Sequence, residues 1–253
     1  MTPETTLETV APTNFFSRLM GVYFSPGETF KDIGRAPKIA VPLIILALMT
    51  GAVGWVMAER IGATKIATQG IEKAVADGRM TQEQAAPQLE AMKKNEGYIK
   101  ASIPIFAILG TLVVVFAFAG LLKLGSMVVG TENTYGQLLG VTTYANLAVG
   151  IISSIVFVSL LFLKSPDEID IQNPVDSNLG SVLAIAMGKD GLPKFLMALA
   201  SWIDVFSIWK IVLLSIGFSA VSRKLTIGTA ASVIIGLYVV AALIAAVWAS
   251  AFG

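Results

Sequence analysis

Residues 201–224 read SWIDVFSIWKIVLLSIGFSAVSRK. This aliphatic and aromatic run carries two opposite charges, Asp204 and Lys210, near its start, and it ends on the basic pair Arg223 and Lys224. In water such a segment is unremarkable. In a bilayer a Lys at the centre of a span costs about 2.5–3.5 kcal/mol, whereas each Leu, Ile, Phe or Val returns about 0.3–0.6. The solvent that the chain meets therefore decides both its fold and the meaning of these charges.

Composition points to lipid. Of 253 residues, 55% are hydrophobic and only 14% are charged; a soluble domain carries about 25% charged residues. The mean hydropathy is +0.76. A net charge of +1 gives no bulk field of the kind that attracts nucleic acid. Cys and His are both absent. Disulfides, thiolate metal sites, Cys nucleophiles and imidazole acid–base chemistry are thereby excluded.

A spanning helix needs about 20 mainly apolar residues to cross about 30 Å of hydrocarbon. Five runs qualify: about 39–58, 103–122, 137–163, 203–222 and 227–252. The fold expected is all-α: a polytopic bundle of five transmembrane helices, residues 39–253, preceded by a segment 1–38. The first 38 residues lack a charged start followed by an apolar block, so the first span is expected to act as its own uncleaved insertion signal.

The polar segments are small. Residues 1–13 are Thr-rich and expected to be disordered. In 14–36, Phe15, Phe16, Leu19, Met20, Tyr23 and Phe24 form an apolar face beside Arg18, and Ser25-Pro26-Gly27-Glu28 reads as a helix start with a capping box. Two amphipathic helices follow from this pattern. They would lie on the membrane surface or pack onto the protein's own bundle. Residues 59–102 read as a helical hairpin, about 60–76 and 82–97, turned by Asp77-Gly78 and restarted by a capping box at Thr81. Residues 164–194 read as a loop whose acids, Asp167, Glu168, Asp170, Asp176 and Asp190, miss the spacing of a calcium-binding loop. No metal and no cofactor are expected.

Basic residues set the expected orientation. Lys31, Arg35 and Lys38 precede the first span, and Arg223 and Lys224 occupy the turn between the fourth and fifth. Both groups fall on one face, as a cytoplasmic N-terminus requires; five spans then put the C-terminus outside.

In the fourth run, a span ending near Ser222 places Asp204 at the far boundary and Lys210 about 9 Å deeper. Ser207 shares a face with Lys210, three residues on. Asp204 is turned away by about 120°, so a simple ridge salt bridge is not expected. The charges would instead point into the bundle or into a wet vestibule. Structural anchoring is the leading role expected, with a ligand or ion contact and a subunit contact as the alternatives. Elsewhere, Ala241, Ala245 and Ala249 recur at i, i+4, i+8, and Gly136 and Gly140 repeat the device in the third span. Small residues at that spacing let helix backbones approach.

The same stretch carries a family resemblance. Asp204, Phe206, Trp209 and Gly217 match an Asp-x-Phe-x-x-Trp motif followed by an aliphatic run ending near a Gly. SPGETFKDI before the first span, TYGQLLGVTTYANL opening the third and NPVDSNLGSVL before the fourth also match, in order. Over residues 20–250 the chain resembles bacterial members of the Yip family, named for Ypt/Rab-GTPase-interacting proteins. The resemblance implies a five-span bundle with a cytosolic N-terminus, here in a bacterial inner membrane. In eukaryotes the family implies vesicle traffic and binding of Rab-type GTPases through a longer N-terminus. This chain's short N-terminus departs from that pattern, and Rab binding does not carry over.

No phosphate-binding loop, zinc-protease helix or nucleophile elbow occurs, so an enzyme is not expected. The leading expectation is a non-catalytic membrane protein that organises or scaffolds an assembly. Its partners would be the lipid bilayer and other membrane subunits or further copies of itself. The alternative is a small transporter or channel, or an accessory subunit of one.

Overall fold

The computed structural model describes residues 14–165, 169, 178–188, 191 and 193–252. All regular structure among them is helical: α1 (Phe15–Phe24), α2 (Pro26–Arg35), α3 (Ala40–Met57), α4 (Ala63–Ala76), α5 (Gln82–Lys94), α6 (Glu96–Val128), α7 (Tyr135–Leu163), α8 (Leu179–Met187), α9 (Lys194–Ala200), α10 (Val205–Val221) and α11 (Ile227–Phe252). A π-helical turn, Ala58–Gly62, joins α3 to α4. Four helices are long and apolar enough to cross a membrane: the α3–α4 rod, α6, α7 and α11. This is a multi-pass membrane protein. The fourth apolar run is shorter than the sequence suggested, because α10 has 17 residues, about 26 Å.

Helix α7 is the axis of the bundle. Leu138, Val141, Tyr144, Ala145, Leu147 and Ala148 are buried along it, and α1, α2, α3, α6 and α10 all pack on it. Its start is fixed by a capping box: Thr134 Oγ1 accepts from Gln137 N, while Gln137 Oε1 accepts from Thr134 N. Gln137 also donates to Gly34 O (3.1 Å), and Asn133 donates to Val221 O (2.8 Å) and accepts from Ser222 Oγ (2.8 Å). The short segment before α7 thus ties the ends of α2 and α10 together.

Charged residues mark two levels on the rods. Lys100 pairs with Glu59 (2.6 Å), and Arg60 donates to Leu161 O. At the other end Lys123 donates to Asn133 O (2.7 Å). Lys100 and Lys123 are both on α6, and the helical rise puts them about 35 Å apart, close to a hydrocarbon core of about 30 Å plus its rims. Val141 is about 30 Å along α7 from Leu161. A core of about 30 Å measured from the Leu161 rim would end there.

Helices α1 and α2 do not lie across the end of the bundle. Gly34 sits against Val221, Phe30 against Gly217, and the Tyr23 ring lies 5.9 Å from that of Trp209. On α7 the partners run from Gln137, bonded to Gly34, to Ala148, whose carbonyl accepts from Tyr23 Oη (2.7 Å). The contacts advance along α7 by about 16 Å while α2 and then α1 are traversed backwards. The pair is a helical hairpin standing lengthwise between α7 and α10, with its tip about 10 Å past the Val141 rim. Packing on the bundle, one of the two readings left open by the sequence, is what occurs. Arg18 is the buried lock: Nε donates to Asp32 Oδ2 (2.7 Å) and Nη1 to Ala36 O (2.8 Å).

Two expectations need correction. Ser25 occupies the N-cap of α2, but its side chain makes no capping bond and Glu28 pairs with Lys31 (2.8 Å) instead. Residues 164–194 are not simply a polar loop, since α8 is an apolar helix within them. The acids at 167, 168, 170, 176 and 190 lie outside the described residues. The box at Thr81 forms as expected.

Candidate functional site

The first charge of the run proves to be a helix cap. Asp204 has extended backbone, and its Oδ1 accepts from Phe206 N (2.8 Å) and Ser207 N (3.1 Å). Ser207 Oγ donates to Oδ2 (2.5 Å). The first amides of a helix have no intrahelical acceptor, and inside a bilayer no water replaces one. Asp204 supplies it. Consequently α10 starts at Val205, not at Ile203.

The backbone before the cap is broken without leaving the bundle. Only residues 201–204 separate α9 from α10, and both helices pack on α11. Helix α11 has 26 residues, about 39 Å. Helix α10 covers about 26 Å of that, and the seven residues of α9 add about 11 Å. The break is satisfied locally: Ser201 N, Trp202 N and Ile203 N donate to carbonyls of α9, and Leu179 N donates to Ile203 O (2.8 Å) as residue 178 pairs with residue 204.

Beside the break lies a cavity of about 170 Å³, lined by Asn146, Val149, Gly150 and Ser153 from α7 and by Asp204, Phe206, Ser207 and Lys210 from α10. Ser153 and Asn146 are eight and fifteen residues from Leu161, so the cavity extends from about 12 to 23 Å below that rim. On that scale the cavity lies near mid-depth of α7, and Asp204, which lines it, lies deeper in the bundle than the boundary position expected from the sequence.

The polar groups here are unequally engaged. Asn146 Nδ2 donates to Thr142 O (2.8 Å), Ser153 Oγ to Gly150 O (3.2 Å) and Ser207 Oγ to Asp204. Both hydroxyl hydrogens and one of the two Asn146 amide hydrogens are thus directed at the protein. Lys210 differs: its Nζ makes no hydrogen bond or ion pair among the described residues, and its one aromatic neighbour is the Tyr238 ring, 5.8 Å from Nζ to centroid. That contact is at the outer limit of a cation–π interaction.

Of the four residues singled out by sequence, Asp204, Ser207 and Lys210 share the cavity, while Trp209 turns toward Tyr23. Asn146, Ser153 and Tyr238 were missed; a lone Asn in an apolar span is a signal that could have found the first. Among the packing candidates, Gly140 is buried against Ile33 and Gly136 sits near Pro37 without a close approach. Ala241, Ala245 and Ala249 are half-buried, and the buried line on α11 is Ala230, Ile234, Ala242 and Ala246. A second, larger cavity of about 640 Å³ opens near the opposite rim between Asn14, Arg18, Lys38 and Tyr144, but the Arg18 guanidinium there is already held by Asp32 and Ala36.

A family model described as the Yip1 domain matches residues 20–249, nearly the whole chain, and the chain belongs to that family. No curated protein matches it, and no solved structure does.

Proposed function

We propose that this Yip1-domain protein is a non-catalytic, five-span membrane protein that organises an assembly through helix packing and lipid contacts. In this reading α9 and α10 together make the fourth span. The N-terminus is cytoplasmic and the C-terminus outside, because Lys31, Arg35 and Lys38 share a face with Arg223 and Lys224. The resemblance to bacterial relatives supports an inner-membrane location.

The observation that carries the reading is the inserted α1–α2 hairpin. One side of it is buried through Val22, Phe30 and Ile33, while Phe16 (74% exposed), Met20 (51%) and Phe24 (78%) recur at i, i+4, i+8 on its bare side. A rigidly docked helix that presents an aromatic stripe at membrane depth is suited to contact another membrane component. Photo-reactive residues at positions 16 and 24, irradiated in native membranes, test this. Adducts to one recurring protein or to a second copy support it. Adducts to lipid alone at both positions would refute the assembly role.

The cavity favours a second reading, an accessory subunit of a transporter or a small transporter. Discontinuous helices with polar groups near the midplane are the usual architecture of solute sites in such proteins. Solute uptake by proteoliposomes holding the purified chain separates the readings.

A further inference from the structure

We infer that the α7–α10 cavity binds a small zwitterion, a primary ammonium joined to a phosphate or carboxylate, with the anionic end on Lys210 and the ammonium end on Asp204. The inference does not depend on the scaffold reading, since a bundle that works through contacts can hold this ligand or lack it.

Four observations converge. First, the cavity is lined by opposite charges, Asp204 and Lys210, whose backbones are six residues apart on one helix, about 9 Å along the axis. A simple anion would meet the Asp204 carboxylate, and a simple cation would meet Lys210; a molecule carrying both charges meets neither penalty. Second, the Lys210 ammonium has three donor hydrogens and no acceptor among the described residues. The Asp204 carboxylate attracts it through space but does not bond it, and a charge without a hydrogen-bond partner in the membrane interior is costly; such residues mark ligand pathways more often than they fill space.

Third, the remaining groups leave acceptors open. The hydroxyl hydrogens of Ser153 and Ser207 are directed at Gly150 O and Asp204, and one amide hydrogen of Asn146 at Thr142 O, its second remaining free. Their oxygens stay open to a ligand that donates, as a primary ammonium does and a quaternary one does not. Asp204 Oδ2 takes only the Ser207 hydroxyl, which leaves it room for another donor. Fourth, the volume fits. A volume of about 170 Å³ admits a phosphate or carboxylate on a two-carbon amine.

The chemistry has two sources, a free solute or the headgroup of an aminophospholipid. The test uses the full-length protein in nanodiscs of phosphatidylcholine, whose quaternary headgroup cannot donate. Thermal melting is recorded with free phosphoethanolamine, inorganic phosphate, ethanolamine and phosphocholine, and again in nanodiscs of phosphatidylethanolamine. The expected result is a higher melting temperature with phosphoethanolamine or with phosphatidylethanolamine, and a smaller rise or none with the other three probes. A rise with the free compound alone assigns a solute site; a rise with the lipid alone assigns a headgroup site. Lys210→Met should abolish the rise. Asp204→Asn keeps an N-cap of equal rank, so it should fold, yet it should bind at least about tenfold more weakly, a loss of about 1.4 kcal/mol. Equal shifts from inorganic phosphate in wild type and Asp204→Asn would replace the zwitterion with a plain anion and overturn the inference. So would the absence of a shift from any probe in either lipid.

Discussion

The insertion of α1 and α2 into the bundle leaves no room for a side chain at Gly217. A Cβ added at Gly217 would lie 2.5 Å from Val141 Cγ1 and 3.1 Å from the Phe30 ring. Both neighbours are fully buried. Neither can retreat: Val141 belongs to α7, and Phe30 is held by the hairpin that Arg18 locks to Asp32. Overpacking of this kind costs about 1–3 kcal/mol. Replacing Gly by Ala in a helix returns about 1 kcal/mol, so Gly217→Ala should lose up to about 2 kcal/mol net. Gly120 supplies the control. It lies inside α6, and nothing comes within 4 Å of its added Cβ, so Gly120→Ala should be neutral or gain up to about 1 kcal/mol. The difference between the two variants removes the propensity term and isolates the clash at about 1–3 kcal/mol. Each variant is heated in mild detergent and the folded fraction read by size-exclusion chromatography. At about 2–4 °C per kcal/mol for a chain of this size, the gap should be about 2–12 °C. If Gly217→Ala melts at or above Gly120→Ala, α2 does not sit between α7 and α10 as described.

Breaking the hairpin lock by Arg18→Met should cost about 3 kcal/mol, the low end for a severed buried pair because Asp32 keeps some solvent; Arg18→Met with Asp32→Leu should recover part of the melting temperature, and a double variant no better than the single would rule out the pair as the cause. On α11, Ala246→Leu should lower stability by about 1–3 kcal/mol, since Ala246 is fully buried, whereas half-buried Ala245 should accept Leu at smaller cost; the reverse order by thermal melt would move the packing line. Asp77, at the tip of the α4–α5 hairpin, is held below its ordinary value of 3.8 by Arg79 and by Lys194 at the start of α9. A lowered carboxyl contributes above its ordinary value and loses that contribution as pH falls through the depressed one, so spin labels at Glu83→Cys and Leu196→Cys should hold one distance from pH 8 to 5 and broaden only as pH falls below the ordinary value of 3.8; an unchanged distance there would show that the contact does not depend on charge. For orientation, a membrane-impermeant thiol reagent added outside should label Glu90→Cys and spare Arg223→Cys, and the opposite pattern would invert the topology.

The parts of this fold that were legible in the sequence are those governed by local chemistry. Hydropathy marks the long helices because a rod in lipid needs a continuous apolar surface. The box at Thr81 was readable because all its bonds lie within four residues. The same pattern at Thr134 and Gln137 was equally readable. Its further bond to Gly34 was not, since that depends on where α2 comes to rest. The helix break at 201–204 left no mark of its own. Ser201-Trp202-Ile203 holds neither Gly nor Pro, and hydropathy runs through it unbroken. The available signal was Asp204 itself, an Asp immediately before an apolar helical run and therefore a candidate N-cap. Taken only as a charge in a span, it hid the boundary that it creates. The hairpin shows the converse limit: Ser25-Pro26 announces a new helix, but the lengthwise insertion follows from Gly34, Gly140 and Gly217 admitting Val221, Ile33 and Phe30 at close range. Those pairings are between elements, and no local pattern encodes them.

The two charges that open the run therefore have different physical standing. Asp204 meets three donors within its own first turn, and its negative charge faces the positive end of the α10 dipole. Removing it without a substitute cap would expose the first amides of α10 to the membrane interior, so its presence is explained by the helix alone. Lys210 has no such local account. It lies on the second turn, where a positive charge opposes the helix dipole, and it bonds to nothing among the described residues. If anchoring were its role, Lys210→Met would leave a buried acceptor bare and lower stability by about 1–3 kcal/mol. The acceptors around the cavity argue against that outcome, since Asn146, Ser153 and Ser207 remain hydrogen-bonded through their own donors when Lys210 is gone, and Asp204 keeps its three donors while losing only the through-space attraction of Lys210. Lys210→Met should thus melt at or above wild type in phosphatidylcholine, and should forfeit only the additional stability that phosphoethanolamine or phosphatidylethanolamine confers. A melting temperature well below wild type with no ligand present would make Lys210 a structural residue and return the cavity to the packing of the bundle.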